Sequence, residues 1–433
     1  MSTQPASAEA RAIVGTYYRV TGFFNAALSL IWGVNTLFLL RSGLDFFHVM
    51  MVNAAFSYGQ FVFEIPTGVV ADTIGRRASF LLCLWTVLLS TLGYLAIAWL
   101  HLGFWPFVGV SVMLGLGFTF YTGAVDAWVV DELKHVGFEG PLDPVFARMQ
   151  AVSGVAMLVG TIGGGLLGQI HLYVPYVARA VLVVPVIAMA WFAMPERGFS
   201  RRSLAIGELP GEMKRILVAG VRFGVAHNVV RPLMLVTLVS ATFSMFGFYS
   251  WQRYFLDLLR RDLVWVTGLI AALVALAGIA GNLLLPHLSK VLRTRTGVMM
   301  LSVVLQGAAV IACGLTRNFY VAVGLYLFWA LGSGMMGPVK QGLLNAHIPS
   351  EQRATIVSLD SLFGDLGGGV GQTGLGWLAR TRTIADAWVI GGATLLLRVP
   401  LLAMARRCDR AKDLFDPTVL AGRPATEIDP QCS

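Results

Sequence analysis

Among the ionisable residues that interrupt otherwise apolar stretches of the chain, seven form two groups. Arg19, Glu64 and Asp126 stand in the first part of the sequence, and Lys340, Asp360, Asp365 and Arg398 in the last. A charge at the centre of a lipid-embedded helix costs about 2.5–3.5 kcal/mol on insertion scales, so such residues persist where they pair or where they work. An acid beside a base can exchange a proton, because burial raises a carboxyl's proton affinity and a neighbouring guanidinium lowers it. Counting a rise of ~1.5 Å per residue from the helix ends puts each group at one depth, so each is read as a mixed acid–base cluster. Asp126 is the first candidate for proton coupling and Glu64 the second, with Arg19 as the expected partner. The competing expectation is that the same charges pair statically and hold helices together.

The elements that position these groups follow from composition. Of 433 residues 56% are hydrophobic and only 13% charged, with a mean hydropathy of +0.72. A soluble domain carries roughly 25% charged residues. Twelve apolar runs, near 15–40, 46–71, 78–100, 103–131, 149–172, 174–194, 232–252, 263–286, 297–316, 318–345, 354–379 and 384–405, are each long enough to cross a bilayer as a helix. The remaining loops leave no room for a sizeable soluble catalytic domain. With the N-terminus inside, the inner connections and termini hold 21 of the 32 Lys and Arg and the outer connections hold 7. That asymmetry predicts both termini in the cytoplasm, so the net charge of +9 reflects topology and not a nucleic-acid partner. Residues 1–14 lack a basic start ahead of a short apolar stretch, so insertion is expected to rely on the first span. The cysteines, Cys83, Cys313, Cys408 and Cys432, have neither metal-site nor disulfide spacing.

The expected organisation is a short segment 1–14, a six-helix bundle over 15–194, a linker over 195–231, a second bundle over 232–405 and a tail over 406–433. The linker mixes Lys214, Arg215, Arg222 and Arg231 with Ile216, Leu217, Val218, Val221 and Phe223, as a helix lying on the membrane surface or a solvated linker would. An internal repeat relates the bundles. Arg148, Val152 and Ser153 precede Gly163, Gly164 and Gly165, while Arg353, Val357 and Ser358, each 205 residues later, precede Gly367, Gly368 and Gly369. Parallel six-span repeats are an architecture of secondary transporters. The glycines also recur at spacing four (160, 164, 168; 364, 368), which suits close helix packing or sliding against the opposite half.

Between the second and third runs stands Gly68-Val-Val-Ala-Asp72-Thr-Ile-Gly75-Arg76-Arg77. This resembles the signature loop of the major facilitator superfamily, with Thr73 where the family usually has a basic residue. The resemblance covers about residues 15–405, and Phe63-Glu64-Ile65-Pro66-Thr67-Gly68 and Gly123-Ala-Val-Asp126-Ala-Trp128 look like a bacterial drug or small-molecule permease branch. It implies an all-α fold of twelve transmembrane helices in two six-helix halves related by a pseudo-two-fold axis. It also implies that Gly68, Asp72, Gly75, Arg76 and Arg77 brace one state of the transporter, with Asp131 as the acid from span four. The equivalent loop of the second half, Gly281 to Lys290, has lost the Asp and the Gly-Arg pair, so weaker or different bracing is expected there. The fifth span lacks the Gly-Pro motif usual in the family's drug–proton antiporters.

Asn25, Tyr121 and Trp329 lie on spans that line the cavity in the resembled family, and Trp251 and Gln252 fall at the end of span seven, so these five are the substrate-binding candidates. Trp and Tyr are also enriched at membrane interfaces, which is the competing expectation for Trp251. Arg179, near the end of span six, is expected to snorkel to the headgroups. No Gly-x-Ser-x-Gly or His-Glu-x-x-His motif occurs, which disfavours an intramembrane enzyme. Two clusters of mixed sign do not resemble the one-sign ring of a channel. The reading is therefore a monomeric transporter in a bacterial inner membrane with neither cofactor nor metal, exporting an amphipathic or drug-like compound in exchange for protons. A proton-linked importer of a metabolite is the alternative.

Overall fold

The computed structural model describes residues 7–121, 123–199, 211, 218, 224, 226–348, 353–408 and 412–415, except the side chains of Val69, Asp72, Arg353 and Ala354. Every apolar run of the sequence folds as a helix, as lipid requires of a backbone that must satisfy its own polar groups. The first crossing is α1 (Ala8–Ser29) followed by α2 (Asn35–Arg41). Next come α3 (Phe46–Ile74), α4 (Arg76–Trp99), α5 (Phe104–Thr119) with α6 (Ala124–His135), α7 (Asp143–Ile170) and α8 (Val174–Ala193). The later chain forms α9 (Val230–Leu259), α10 (Val264–Leu292), α11 (Arg295–Leu315), α12 (Phe319–His347), α13 (Arg353–Thr381) and α14 (Ile384–Leu396) with α15 (Arg398–Cys408). No strand occurs among the described residues, which hold one isolated bridge between Thr294 and Leu414.

Some helix starts carry side-chain caps. Ser7 Oγ accepts from the Ala10 amide at 3.1 Å, and an Asp45 carboxylate oxygen accepts from the His48 amide at 2.8 Å. The fourth crossing breaks instead at Gly123, whose left-handed φ of 72° restarts the chain as α6. Asp126 therefore lies in the first turn of a helix, where the dipole favours a carboxylate.

The chain forms two compact units, one of Met1–Met213 with Asp262–Ala272 and the other of Lys214–Arg261 with Leu273–Ser433. In the first, Tyr17, Phe24, Phe80, Trp128 and Val183 centre a core that binds α1, α4, α6 and α8. In the second, Phe243, Tyr254, Phe255, Tyr326 and Trp388 pack ring against ring, with neighbouring centroids 5.2–5.8 Å apart.

The repeated glycines do the same work in both units. At Gly164 a Cβ would collide with the Leu30 carbonyl of the first crossing, and at Gly367 and Gly371 with the Leu238 and Thr242 carbonyls of α9. Each unit's fifth crossing thus lies against its own first crossing with no side chain between them. Of the two expectations for these glycines, close packing accounts for these contacts. The expected surface helix of the linker falls mostly outside the described residues.

Candidate functional site

The chemistry-bearing residues gather in two kinds of place: at helix ends beside the signature loop and its counterpart, and within the crossings.

At the signature loop α3 ends and α4 begins on one residue, Gly75, with φ 112° and ψ 160°. A Cβ there would collide with the carboxylate of Glu196, which lies directly over the turn. That carboxylate accepts the Arg77 amide at 3.0 Å, so it caps α4 and meets the positive end of its dipole. The Arg76 guanidinium stands 5.8 Å over the Phe199 ring. Residues 195–199, immediately after α8, therefore clasp the loop. They also reach two further helices. Trp128 Nε1 donates to the Pro195 carbonyl at 2.5 Å, and Glu132, buried on α6, accepts the Arg197 and Gly198 amides at 2.6 and 2.9 Å. The Arg197 guanidinium donates to Glu9 at 2.6 Å, and the bonds to Glu9 and Glu132 hold its pKa above the ordinary arginine range.

Span four's contribution thus comes through Glu132. Asp131, the expected acid, makes no side-chain hydrogen bond or ion pair among the described residues, because consecutive helical residues point about 100° apart. The side chain of Asp72 lies outside the described residues, Thr73 bonds the Val70 carbonyl of its own helix, and Gly68 is exposed with open space where a Cβ would stand.

The second unit carries the same device in different letters. Asp413, 2% exposed and just beyond α15, accepts the Thr296 amide at 2.7 Å and the Thr296 hydroxyl, capping α11. Its backbone carbonyl accepts the Arg295 amide at 2.7 Å, and the Arg295 guanidinium stands 5.5 Å over Phe415. Arg76, Glu196 and Phe199 thus have counterparts in Arg295, Asp413 and Phe415. The bracing expected to be weaker here is different in sequence and alike in geometry. An Asp413→Ala substitution strands two donors of Thr296, and a buried unsatisfied group costs about 1–3 kcal/mol. A lower thermal midpoint of the purified protein is expected, and an unchanged one would show that the contact carries no stability.

Within the first unit, Asp126 is bound by Tyr17, whose hydroxyl donates to it at 2.5 Å. The expected partner, Arg19, is exposed and spends its guanidinium on Gly15 O at 3.2 Å and Thr16 Oγ1 at 3.4 Å of its own helix. Glu64 is half-buried on α3 and its backbone carbonyl accepts from Thr67. Arg179 does not snorkel: it is 2% exposed.

Within the second unit the predicted cluster divides. Lys340 pairs with Asp360, and Thr237 joins both, donating to Asp360 Oδ1 at 2.6 Å and accepting from Lys340. Arg398 is separate, buried in a neutral cradle of Leu395 O at 3.0 Å, Ser240 Oγ at 3.1 Å and Gln306 Oε1 at 3.3 Å. Asp365 is half-buried further along α13.

The substrate-binding candidates also part company. Asn25 is half-buried and donates to Ser153 Oγ at 3.3 Å, and Tyr121 packs on Phe24 at 4.8 Å. Trp251 and Gln252 are 3% and 0% exposed, so they belong to the core of the second unit and not to an interfacial belt. Trp329 stacks on Tyr326 at 5.2 Å and 3°, with its ring nitrogen buried. Sequence reasoning passed over Tyr17, Glu132, Glu196, Tyr326 and Asp413.

Comparison with known proteins agrees with this architecture. The chain is 25% identical over 374 residues to the class C tetracycline resistance protein of Escherichia coli, covering 82% of this chain and 86% of that one. It is 19% identical over 396 residues to the uncharacterised MFS-type transporter YxaM of Bacillus subtilis, covering 89% and 94%. Among solved structures the fold resembles the nucleoside transporter NupG (TM-score 0.70, 10% identity, 90% of this chain and 98% of that one). It also resembles a D-xylose-proton symporter (TM-score 0.66, 16% identity, 91% and 96%). Among the described residues nine helical segments are long and apolar enough to cross a membrane. With the family model of the Major Facilitator Superfamily matching residues 18–372 and 262–417, the chain belongs to that superfamily and is a multi-pass membrane transporter of a small molecule, not an enzyme.

Proposed function

We propose that the chain exports an amphipathic or drug-like compound in exchange for protons, as a monomer in a bacterial inner membrane. The observation that carries the coupling is the Tyr17–Asp126 hydrogen bond: an acid within a crossing, exposed on one side and held on the other by a neutral hydroxyl. Such a carboxylate can take up a proton when its surroundings change, with no buried cation left behind. Similarity to tetracycline resistance proteins supports the export direction. The clasps at Glu196 and Asp413 hold the signature loop and its counterpart while the six-crossing halves, 15–194 and 232–405, alternate their access. Glu64 and the Lys340–Asp360 pair are the remaining coupling candidates, and Asn25 and Tyr121 the substrate contacts.

Proteoliposomes holding the purified protein test this with a panel of amphipathic drugs that includes tetracycline. Saturable counterflow is expected, together with accumulation when an imposed pH gradient drives protons the opposite way. Saturable flux indifferent to the gradient would remove the coupling, and flux in the same direction as protons would turn the transporter into an importer. The orientation has its own test. With the four native cysteines replaced, a cysteine at Arg202 is expected to react with an impermeant thiol reagent only after the cell membrane is opened, and labelling in intact cells would reverse the topology.

A further inference from the structure

A crevice of about 360 Å³ opens in the first unit where α1 and α7 begin. Arg11, Val14 and Tyr18 of α1, Phe138 of the α6–α7 connection, and Pro144 and Arg148 of α7 line it. Each helix contributes one guanidinium. No carboxylate lies among the described residues of the lining, and neither guanidinium forms an ion pair or hydrogen bond among the described residues. The remaining walls are mostly apolar. Tyr18 donates to the Val145 carbonyl at 3.2 Å, tying the two helices together along one side. Gly15 is also part of the lining, and an added Cβ there would meet nothing within 4 Å.

Two cations in one otherwise mostly apolar lining suit a ligand that is an anion at one end and hydrocarbon at the other. Arg11 and Tyr18 are seven residues apart, about 10 Å along the helix, which is the reach from a phosphate to the first carbons of an acyl chain. Arg11 and Arg148 stand just before the apolar runs that begin at residues 15 and 149, the position in a membrane protein where tyrosine is favoured and where basic pockets between helices bind acidic headgroups. A free phosphate would use the guanidiniums and leave Val14, Phe138 and Pro144 bare. The arrangement is separate from the coupling pair, since neither Tyr17 nor Asp126 is part of the lining.

We propose that this crevice binds an anionic phospholipid, with Arg11 and Arg148 on the headgroup phosphate and the acyl end over Gly15. The proposal does not depend on the substrate or on proton coupling.

Native mass spectrometry of the full chain in detergent, offered equal amounts of phosphatidylglycerol and phosphatidylcholine, tests it without reference to transport. The parent is expected to retain the anionic lipid with roughly ten-fold preference. An R11Q/R148Q variant is expected to retain the two equally, and R11K/R148K to keep most of the preference. Gly15→Leu leaves every charge in place and suits a helix better than glycine, so its expected loss of lipid reports the filled crevice. Excess inorganic phosphate is expected to displace nothing. Equal retention by the parent, an unchanged preference in R11Q/R148Q, full retention in Gly15→Leu, or displacement by inorganic phosphate would each overturn the proposal.

Discussion

Replacing Asp126 by Asn is expected to leave the folded yield at the parent's level while abolishing substrate accumulation driven by a pH gradient. One proton exchanged per substrate across one pH unit supports about ten-fold accumulation, since ten-fold corresponds to 1.4 kcal/mol, and the variant should fall to parity. Exchange of substrate for substrate, which needs no net proton movement, should persist. The geometry separates this from a structural role. A static Arg19–Asp126 pair would leave a buried cation stranded on substitution, with a large loss of yield. Here Arg19 is exposed and bonded to its own helix, and an Asn at 126 still offers an oxygen to the Tyr17 hydroxyl. Purified Asp126→Asn protein that still concentrates substrate as the parent does would reject the assignment.

The opposite outcome is expected at Lys340 and Asp360. Their side chains are 16% and 14% exposed, and each is the other's charge partner. Removing one partner of such a pair typically costs about 3–5 kcal/mol, because the survivor is left as an uncompensated charge. Lys340→Met and Asp360→Leu should therefore each abolish most of the folded protein. The double variant should recover it, since replacing both charges by apolar groups is often neutral. Size-exclusion profiles of the three variants decide the matter. A well-folded Lys340→Met protein would show that the ion pair contributes little to the folded state. Recovered yield in the double variant without transport would give the pair a part in the cycle.

The crossings were legible because lipid admits few alternatives: a run of some twenty apolar residues bounded by charge or turn residues must be a helix. Depth was legible too, since the rise per residue is fixed. Direction around the helix was not. Tyr17 and Arg19 differ by two residues, about 200° of rotation, so the tyrosine is 1% exposed and bonds Asp126 while the arginine points away. A depth count cannot separate them. Trp251 and Gln252 were placed at the end of a span, as substrate contacts, because the apolar run stops there, yet α9 continues to Leu259, two turns further, and both are buried in the core. Arg179 failed the other way, an arginine near a run's end whose side chain turns inward. Glu132 and Glu196 in connecting segments and Asp413 in the tail were unremarkable charges, and their roles arise only when the chain returns to a helix end more than a hundred residues back, or, for Glu132, when that return comes to meet it. The loss of the signature letters in the second half misled for the same reason: a cap is conserved in geometry by any acid that arrives at the right amide.

Each clasp is made of chain that follows a crossing, α8 in one case and α14 with α15 in the other, and this orders their closing during synthesis. As the ribosome delivers the first six crossings, Glu132 on α6 and the open end of α4 wait without partners until residues 195–199 emerge. In the second unit the end of α11 waits in the same way for Asp413. Each bundle is thus sealed by its own newest residues, and a nascent chain halted before Pro195 holds a first half that is threaded through the membrane but not yet locked.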